Sequence, residues 1–353
     1  MRVLVLEAQV PFVHGGAEIL VRQLVGALRE QGHDAEIVAI PFRDHPREQL
    51  MAHAAAWRLI DLSTAINRPI DLVIATKFPT YLVRHPAKVT WLVHQHRAAY
   101  ELCDTPYSDF AHTDRDVGLR DRLLKIDTQA LGECVALFSI AKTVSARLLK
   151  YNGLTATPLY HPPKLARRLK PGPYGDYMLT VTRLEKVKRV DLAIDAFRHV
   201  DRRTRLVIAG EGTERIQLEA QIAELGLGDR VTLLGRVSDE ALIDLYAGSL
   251  GLLFTPYAED YGYVTLESFL SRKPVITATD SGGPLEFVVD GSNGVIAEPA
   301  AEALAAAVNR LAGNHRLAAS WGDAGYELAR TITWDGVVER LVGAATGRPI
   351  SAI

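Results

Sequence analysis

Apolar residues in this chain come in short unbroken runs, and between the runs they recur at every third or fourth position. The first pattern suits a strand buried on both faces, the second a helix with one covered stripe. Residues 3–6 form one such run. A loop then leads to Gly15-Gly16 and to a stretch in which Ile19, Leu20, Leu24, Ala27 and Leu28 share a helical face. Gly32 stands where a left-handed residue would close that helix. Further strands are expected at 35–40, 71–75, 89–93 and 135–140, then a helix over 141–151 that stops at Asn152-Gly153. Strand and helix taking turns in this way predict a doubly wound, parallel α/β architecture.

The alternation is interrupted once. Residues 158–173 carry five prolines and the cations Lys164, Arg167, Arg168 and Lys170, a proline density that neither a helix nor a central strand tolerates. Beyond it, strands are expected at 177–182, 205–209, 230–234, 250–254 and 274–277. Helices are expected over 189–197, over 213–225, from Ser238, and over 263–270. The expected organisation is an N-terminal domain over 1–162, a linker over 163–175 and a second domain over 176–330. A terminal helix within 331–353 is expected to pack back on the first domain. A cleft between two such halves is the default place for a ligand.

Charge and composition narrow the function classes. The 353 residues are 48% hydrophobic, with 40 Lys and Arg against 42 Asp and Glu for a net charge of −2. That balance argues against a nucleic-acid binder, whose affinity rests on a phosphate-neutralising basic surface. Cys103 and Cys134 make neither a disulfide framework nor a CxxC pair and are read as reduced, half-buried fillers. The N-terminus reads as a strand without the features of a secretion signal, and no window of about 18 apolar residues occurs. The expected location is cytoplasmic, with peripheral contact at the inner membrane face left open and the oligomeric state unassigned.

The stretch from Glu259 to Glu267 is the richest in chemistry. A strand delivers the chain to a loop, Gly262 permits tight backbone approach, and a helix begins near Tyr263. Unpaired N–H groups at a helix start, with the positive end of its dipole, attract anions. Glu259 before the turn and Glu267 about a turn inside the helix are natural acceptors for sugar hydroxyls. Taken alone, the same residues suit a surface loop with a solvated glutamate. Ser281-Gly282-Gly283-Pro284 gives a second glycine-rich start, with a helix expected over 285–289. Arg183 and Lys188 sit at the first strand-to-helix crossing after the linker. Each is, by itself, ordinary punctuation or a solvated face. Together they put cations and amides at the carboxyl ends of strands, the edge where open α/β sheets bind ligands.

These residues resemble those of the retaining glycosyltransferases of family 4, whose GT-B fold has two facing Rossmann-like domains. Four patches carry the resemblance. Glu259 and Glu267 stand with seven residues between them. Lys273-Pro274-Val275-Ile276 runs through Ser281-Gly282-Gly283-Pro284 to Val289-Asp290-Gly291. Arg183-Leu184 with Lys188 is the third patch, and Gly15-Gly16-Ala17-Glu18 the fourth. The resemblance implies transfer of a sugar from a nucleotide diphosphate sugar (UDP-, GDP- or ADP-linked) with retained anomeric configuration. The acceptor would be a carbohydrate, a lipid-linked group or a small molecule. Glu267 would bind the ribose hydroxyls and Glu259 the hydroxyls of the transferred sugar. Arg183 and Lys188 would neutralise the diphosphate, helped by amides of Gly262, Tyr263, Val264 and Thr265. Val237 falls where the family meets the base through its main chain, and Gly16, next to Gly15, would approach the phosphates. No metal or other cofactor is expected, because cations and amides can supply the positive potential. The chain departs from the family pattern at Thr182, where Gly is usual, and at Tyr261, where Phe is commoner. His161-Pro162-Pro163 replaces the usual Asn-Gly segment.

His94, closing the strand in Trp91-Leu92-Val93-His94, is placed by the resemblance beside the donor sugar. There an imidazole can bond a hydroxyl and accept developing charge; the alternative is a structural histidine. Zinc at His94 and His96 would need further ligands, and no CxxC or HExxH supplies them. His96 is expected behind His94 or on the acceptor side. Loops around 78–84 and 97–116 are expected to form that side, with Tyr100, Tyr107 and Phe110 offering faces. Asp114-Arg115-Asp116 is expected to cap a helix from Gly118. Gly210-Glu211-Gly212 lacks the third glycine of a dinucleotide fingerprint, Arg215 standing in its place, which disfavours a nicotinamide enzyme. Two rivals are a non-catalytic nucleotide-sugar-binding subunit and a phosphorylase or epimerase on a similar fold. Product formation with any acceptor decides against the first, and release of free nucleoside diphosphate on turnover separates transfer from phosphorolysis.

Overall fold

In the computed structural model, which describes residues 1–12 and 15–346, the chain divides into two units. One is Met1–His161 with the chain from Thr333; the other is Pro162–Ile332. Each unit is built on a six-stranded sheet in which every neighbouring pair is parallel.

In the first unit the strands lie in the order Asp34–Pro41, Arg2–Gln9, Leu72–Lys77, Lys88–His94, Ala136–Ser139, Thr157–Pro158. All of Leu72–Lys77 and all but the last residue of Lys88–His94 are buried, which is why both read as unbroken apolar runs. Helix Gly16–Glu30 buries Leu20, Val21, Leu24, Val25, Ala27 and Leu28, and Gly32 follows at φ 80° as its left-handed stop. Helix Trp334–Ala345 completes this unit, burying Val337, Val338 and Leu341. Its Trp334 stands edge-on to Trp91, ring centroids 6.1 Å apart, and stacks on His161 at 5.6 Å.

The second unit has the order Val231–Gly235, Arg205–Ala209, Tyr177–Val181, Gly251–Leu253, Val275–Ala278, Gly294–Ala297. Met178, Ile194, Phe197, Leu206, Ile208, Leu304 and Val308 are among its core residues. Both sheets reverse their direction of winding once. The first reverses between Arg2–Gln9 and Leu72–Lys77, the second between Tyr177–Val181 and Gly251–Leu253. Loops leaving the carboxyl ends of two such strands diverge and leave a crevice between them.

Three local expectations are corrected. The helix expected over 285–289 is a 3₁₀ turn, Gly283–Glu286. Beyond it the Asn293 amide donates to the Phe287 carbonyl at 2.9 Å and accepts from the Val289 N–H at 2.7 Å, competing for groups that a helix would use. The helix expected from Gly118 begins at Asp114, with Thr113 as N-cap. Asp114 and Asp116 thus lie inside its first turn, where carboxylates suit the dipole, and Asp116 takes the Ala111 N–H and an ion pair from Arg47. Tyr100 and Phe110, expected to offer faces on the acceptor side, are each 1% exposed. The Tyr100 hydroxyl donates inward to Asp127 at 2.7 Å; Tyr107 is half-buried. Cys103 and Cys134 are free and half-buried. Among the described residues, no helix is long and apolar enough to cross a membrane.

Candidate functional site

Strand Tyr177–Val181 gives way to a bend at Thr182, and the chain turns through exposed Arg183 into the 3₁₀ turn Lys186–Lys188. Its neighbour Gly251–Leu253 leads through residues 254–261 to helix Tyr263–Leu270. These strands are neighbours across the winding reversal, and their loops touch through a side-chain contact. Lys188 Nζ forms an ion pair with Glu259 Oε2, the two side chains 12% and 18% exposed.

Backbone bonds shape the Glu259 loop. The N–H groups of Tyr257, Ala258 and Glu259 donate to the carbonyls of Val187, Asp280 and Ser281 at 2.8, 2.9 and 2.8 Å, and that of Gly283 donates back to Glu259 at 2.7 Å. So close an approach needs glycine. A Cβ on Gly282 would lie 2.5 Å from the Glu259 carbonyl oxygen, and one on Gly283 2.7 Å from Tyr261 Cα. Gly262, at φ 79° and ψ 60°, turns the chain into helix Tyr263–Leu270, and a Cβ there would meet Pro284 Cγ at 2.9 Å. Thr265 is buried in the helix's first turn, while Tyr263 and Val264 are half-buried. Half-buried Val237 immediately precedes Ser238, whose hydroxyl caps helix Asp239–Gly248.

Glu267 lies in the second turn of helix Tyr263–Leu270 and is 8% exposed. The Tyr246 hydroxyl donates to its Oε2 at 2.8 Å. Burial pushes the Glu267 carboxyl up to about 7, against the lowering effect of that bond. Tyr246 is a residue that sequence reasoning missed, because only the packing of two helices brings it to Glu267.

In the first unit, Gly15 is the N-cap of helix Gly16–Glu30. Its N–H donates to Glu18 Oε2 at 2.9 Å, and Lys77 Nζ donates to Glu18 Oε1 at 2.6 Å. Burial pushes the Glu18 carboxyl up, but Lys77 and the Gly15 N–H outweigh it and hold it below the ordinary carboxylate range. Lys77 was also missed, although a cation closing a buried apolar strand was its signal. Across the sheet Lys77 is in register with His94, whose Nδ1 lies 2.6 Å from the Gln95 carbonyl oxygen. An N–H on Nδ1 satisfies that contact. His96 sits between Phe78 and Phe110, ring centroids 5.8 and 5.7 Å away, and burial pushes its imidazole down to about 4. Among the described residues, no group of three or more His, Cys, Asp or Glu is placed to hold a metal ion.

The structure thus brings Arg183, Lys188, Glu259 and the stretch 262–265 onto the loops at the reversal of the second sheet. Glu267 lies deeper on the same helix. Gly15, Gly16 and His94 lie on the carboxyl-end loops and strand end of the first sheet.

Residues 167–328 match the family described as glycosyl transferases group 1. The alpha-1,3/1,6-mannosyltransferase ALG2 of Dictyostelium discoideum is 33% identical over 155 residues, 38% of this chain and 37% of that protein. The mannosylfructose-phosphate synthase of Agrobacterium fabrum is 30% identical over 193 residues, 51% of this chain and 42% of that one. The matched part therefore spans about two-fifths of the length of these relatives. Among solved structures, sucrose-phosphate synthase from Thermosynechococcus elongatus superposes with a TM-score of 0.80 at 18% identity, covering 98% of this chain and 99% of that one. Anabaena HepE in complex with UDP-glucose gives 0.74 at 17% identity, covering 98% and 100%. The likeness establishes the fold, GT-B, with two Rossmann-like domains.

Proposed function

We propose, on the match of residues 167–328 to the glycosyl transferases group 1 family, that this chain moves a sugar from a nucleotide diphosphate sugar to an acceptor hydroxyl, with the anomeric configuration retained. The observation that carries the reading is the Lys188–Glu259 pair beside the glycine-shaped start of helix Tyr263–Leu270. A diphosphate needs cations and N–H donors, and a sugar needs carboxylate acceptors; both requirements meet in one side-chain contact. The mannosyl unit in the relatives' names and the UDP-glucose held by HepE support a hexosyl donor.

Arg183, Lys188 and the amides from Gly262 to Thr265 take the diphosphate, Glu259 the sugar hydroxyls, Glu267 the ribose and Val237 the base. For the first unit the proposal assigns His94 to a sugar hydroxyl and Gly15-Gly16 to close backbone approach. The bond from the anomeric carbon to the β-phosphate oxygen breaks as charge gathers on the departing diphosphate. Fixed cations and N–H dipoles stabilise that charge most where it develops, often the largest catalytic contribution. The acceptor oxygen bonds to the face just vacated, and its proton passes to the departing phosphate. The positive charge required is carried by this chain's own groups, without a metal.

Melting curves with UDP, GDP and ADP, followed by assay of nucleoside diphosphate released from the corresponding sugars, test the reading. One nucleotide should raise the melting temperature, as a ligand of the native state does, and the product should keep the donor's anomeric configuration by NMR. No shift with any nucleotide and no release from any sugar would overturn it. An inverted product would overturn retention alone.

A further inference from the structure

Directly after Lys188 the chain takes a conformation that long side chains rarely adopt. Arg189 has φ 50° and ψ 44° at the N-cap of helix Val190–Ala196, the left-handed region that glycine enters freely. Its guanidinium is what the turn serves. Nε donates to the Thr255 carbonyl at 2.8 Å and Nη2 to the Pro256 carbonyl at 2.9 Å. Nη1 and Nη2 also donate to the two oxygens of Asp280, at 2.8 and 2.5 Å. The side chain is 11% exposed. One planar group therefore ties three segments together. These are its own turn, which bears Lys188; residues 255–259, which bear Glu259; and residues 280–283, whose glycines admit the Glu259 backbone. Lysine carries the same charge but lacks the rigid fork that makes these bonds at once.

We propose that Arg189 is a positioning residue that sets Lys188 against Glu259, bracing the turn that carries the one to the two loops that fix the other. This rests on the donor-binding roles proposed above for Lys188 and Glu259. Arg189 acts through them: its bonds run to the Thr255 and Pro256 carbonyls and to Asp280.

The test uses the full chain with R189G, R189K and D280N. Glycine suits the backbone at 189, so R189G removes the brace without straining the turn. Hydrogen–deuterium exchange should quicken in R189G at residues 255–259 and 280–283 while the rest of the second unit stays protected. Hydrolysis of the nucleotide sugar in the absence of acceptor should show kcat lowered about 100-fold, as for a misplaced catalytic geometry, with KM changed by less than about threefold. R189K should fail to restore the rate, and R189K/D280N should be no slower than the worse single variant, since both cut one linkage. Unchanged exchange in R189G overturns the brace. Faster exchange with kcat held within about twofold overturns the positioning role. Should the unsubstituted chain release no nucleoside diphosphate from any sugar, the donor reading falls, and with it the positioning role, while the exchange result still decides the brace.

Discussion

Glu18 and Lys77 are both nearly sealed from solvent, with side chains 5% and 10% exposed, and each is the other's counter-charge. Removing one partner from such a pair leaves a buried charge unmatched, at about 3–5 kcal/mol. Lys77→Met should show a loss of that order in urea unfolding, and E18Q/K77M should recover part of it. Glu18 is held below the ordinary carboxylate range, so its contribution is present at neutral pH and lost as pH falls through that range. Two other buried carboxyls, Glu267 and Asp127, act with the opposite sign. Burial pushes Glu267 up from 4.5 to about 7 and Asp127 up from 3.8 to about 7. In the folded state each keeps its proton after the unfolded chain has released its own. Stability from these two groups is present in acid and lost as pH rises from about 4 to about 7. Denaturation midpoints across that window should decline less steeply for E267Q and D127N than for the unsubstituted chain.

At the scale of elements, helix Tyr263–Leu270 owes its entry angle to Gly262. Alanine there would keep the left-handed φ at a cost of about 1–2 kcal/mol and would also press on Pro284. Gly262→Ala should therefore lower the melting temperature and weaken nucleoside diphosphate binding together, by calorimetry. Loss of stability without loss of affinity would show that this helix start does not face the phosphates. Such glycines were legible in the sequence as punctuation, and the strands as apolar runs, because both are local. The partners were not. Lys77 meets Glu18 across 59 positions, Tyr246 meets Glu267 across 21 and Arg189 meets Asp280 across 91. Each pairing follows from strand order or helix packing, which periodicity alone does not encode. The helix expected over 285–289 went astray for a related reason: Asn293 captures backbone groups from beyond the end of the apolar stretch.

At the scale of the molecule, the family match covers residues 167–328, which fall within the second unit. The candidate residues of the second unit are accordingly those that motifs described most fully. The first unit carries fewer motifs and more of its chemistry in tertiary contacts, the Glu18–Lys77 pair above all. Ending the chain after Ile332 should leave the second unit's core whole and strip the first of helix Trp334–Ala345. Calorimetry of that truncated chain should show one transition kept and one lowered or lost; two unaltered transitions would mean that the helix is dispensable to the first unit.

Helix Trp334–Ala345 packs on helix Gly16–Glu30 and on strands Leu72–Lys77 and Lys88–His94, yet it is encoded after all 171 residues of Pro162–Ile332. On a ribosome adding about 5–20 residues per second, the first unit waits roughly 10–30 seconds for the segment that covers Trp91 and the helix Gly16–Glu30. Until then an apolar face built early stays open to other chains. The order of the message, rather than the strength of any contact, sets the interval in which this protein is most prone to aggregate.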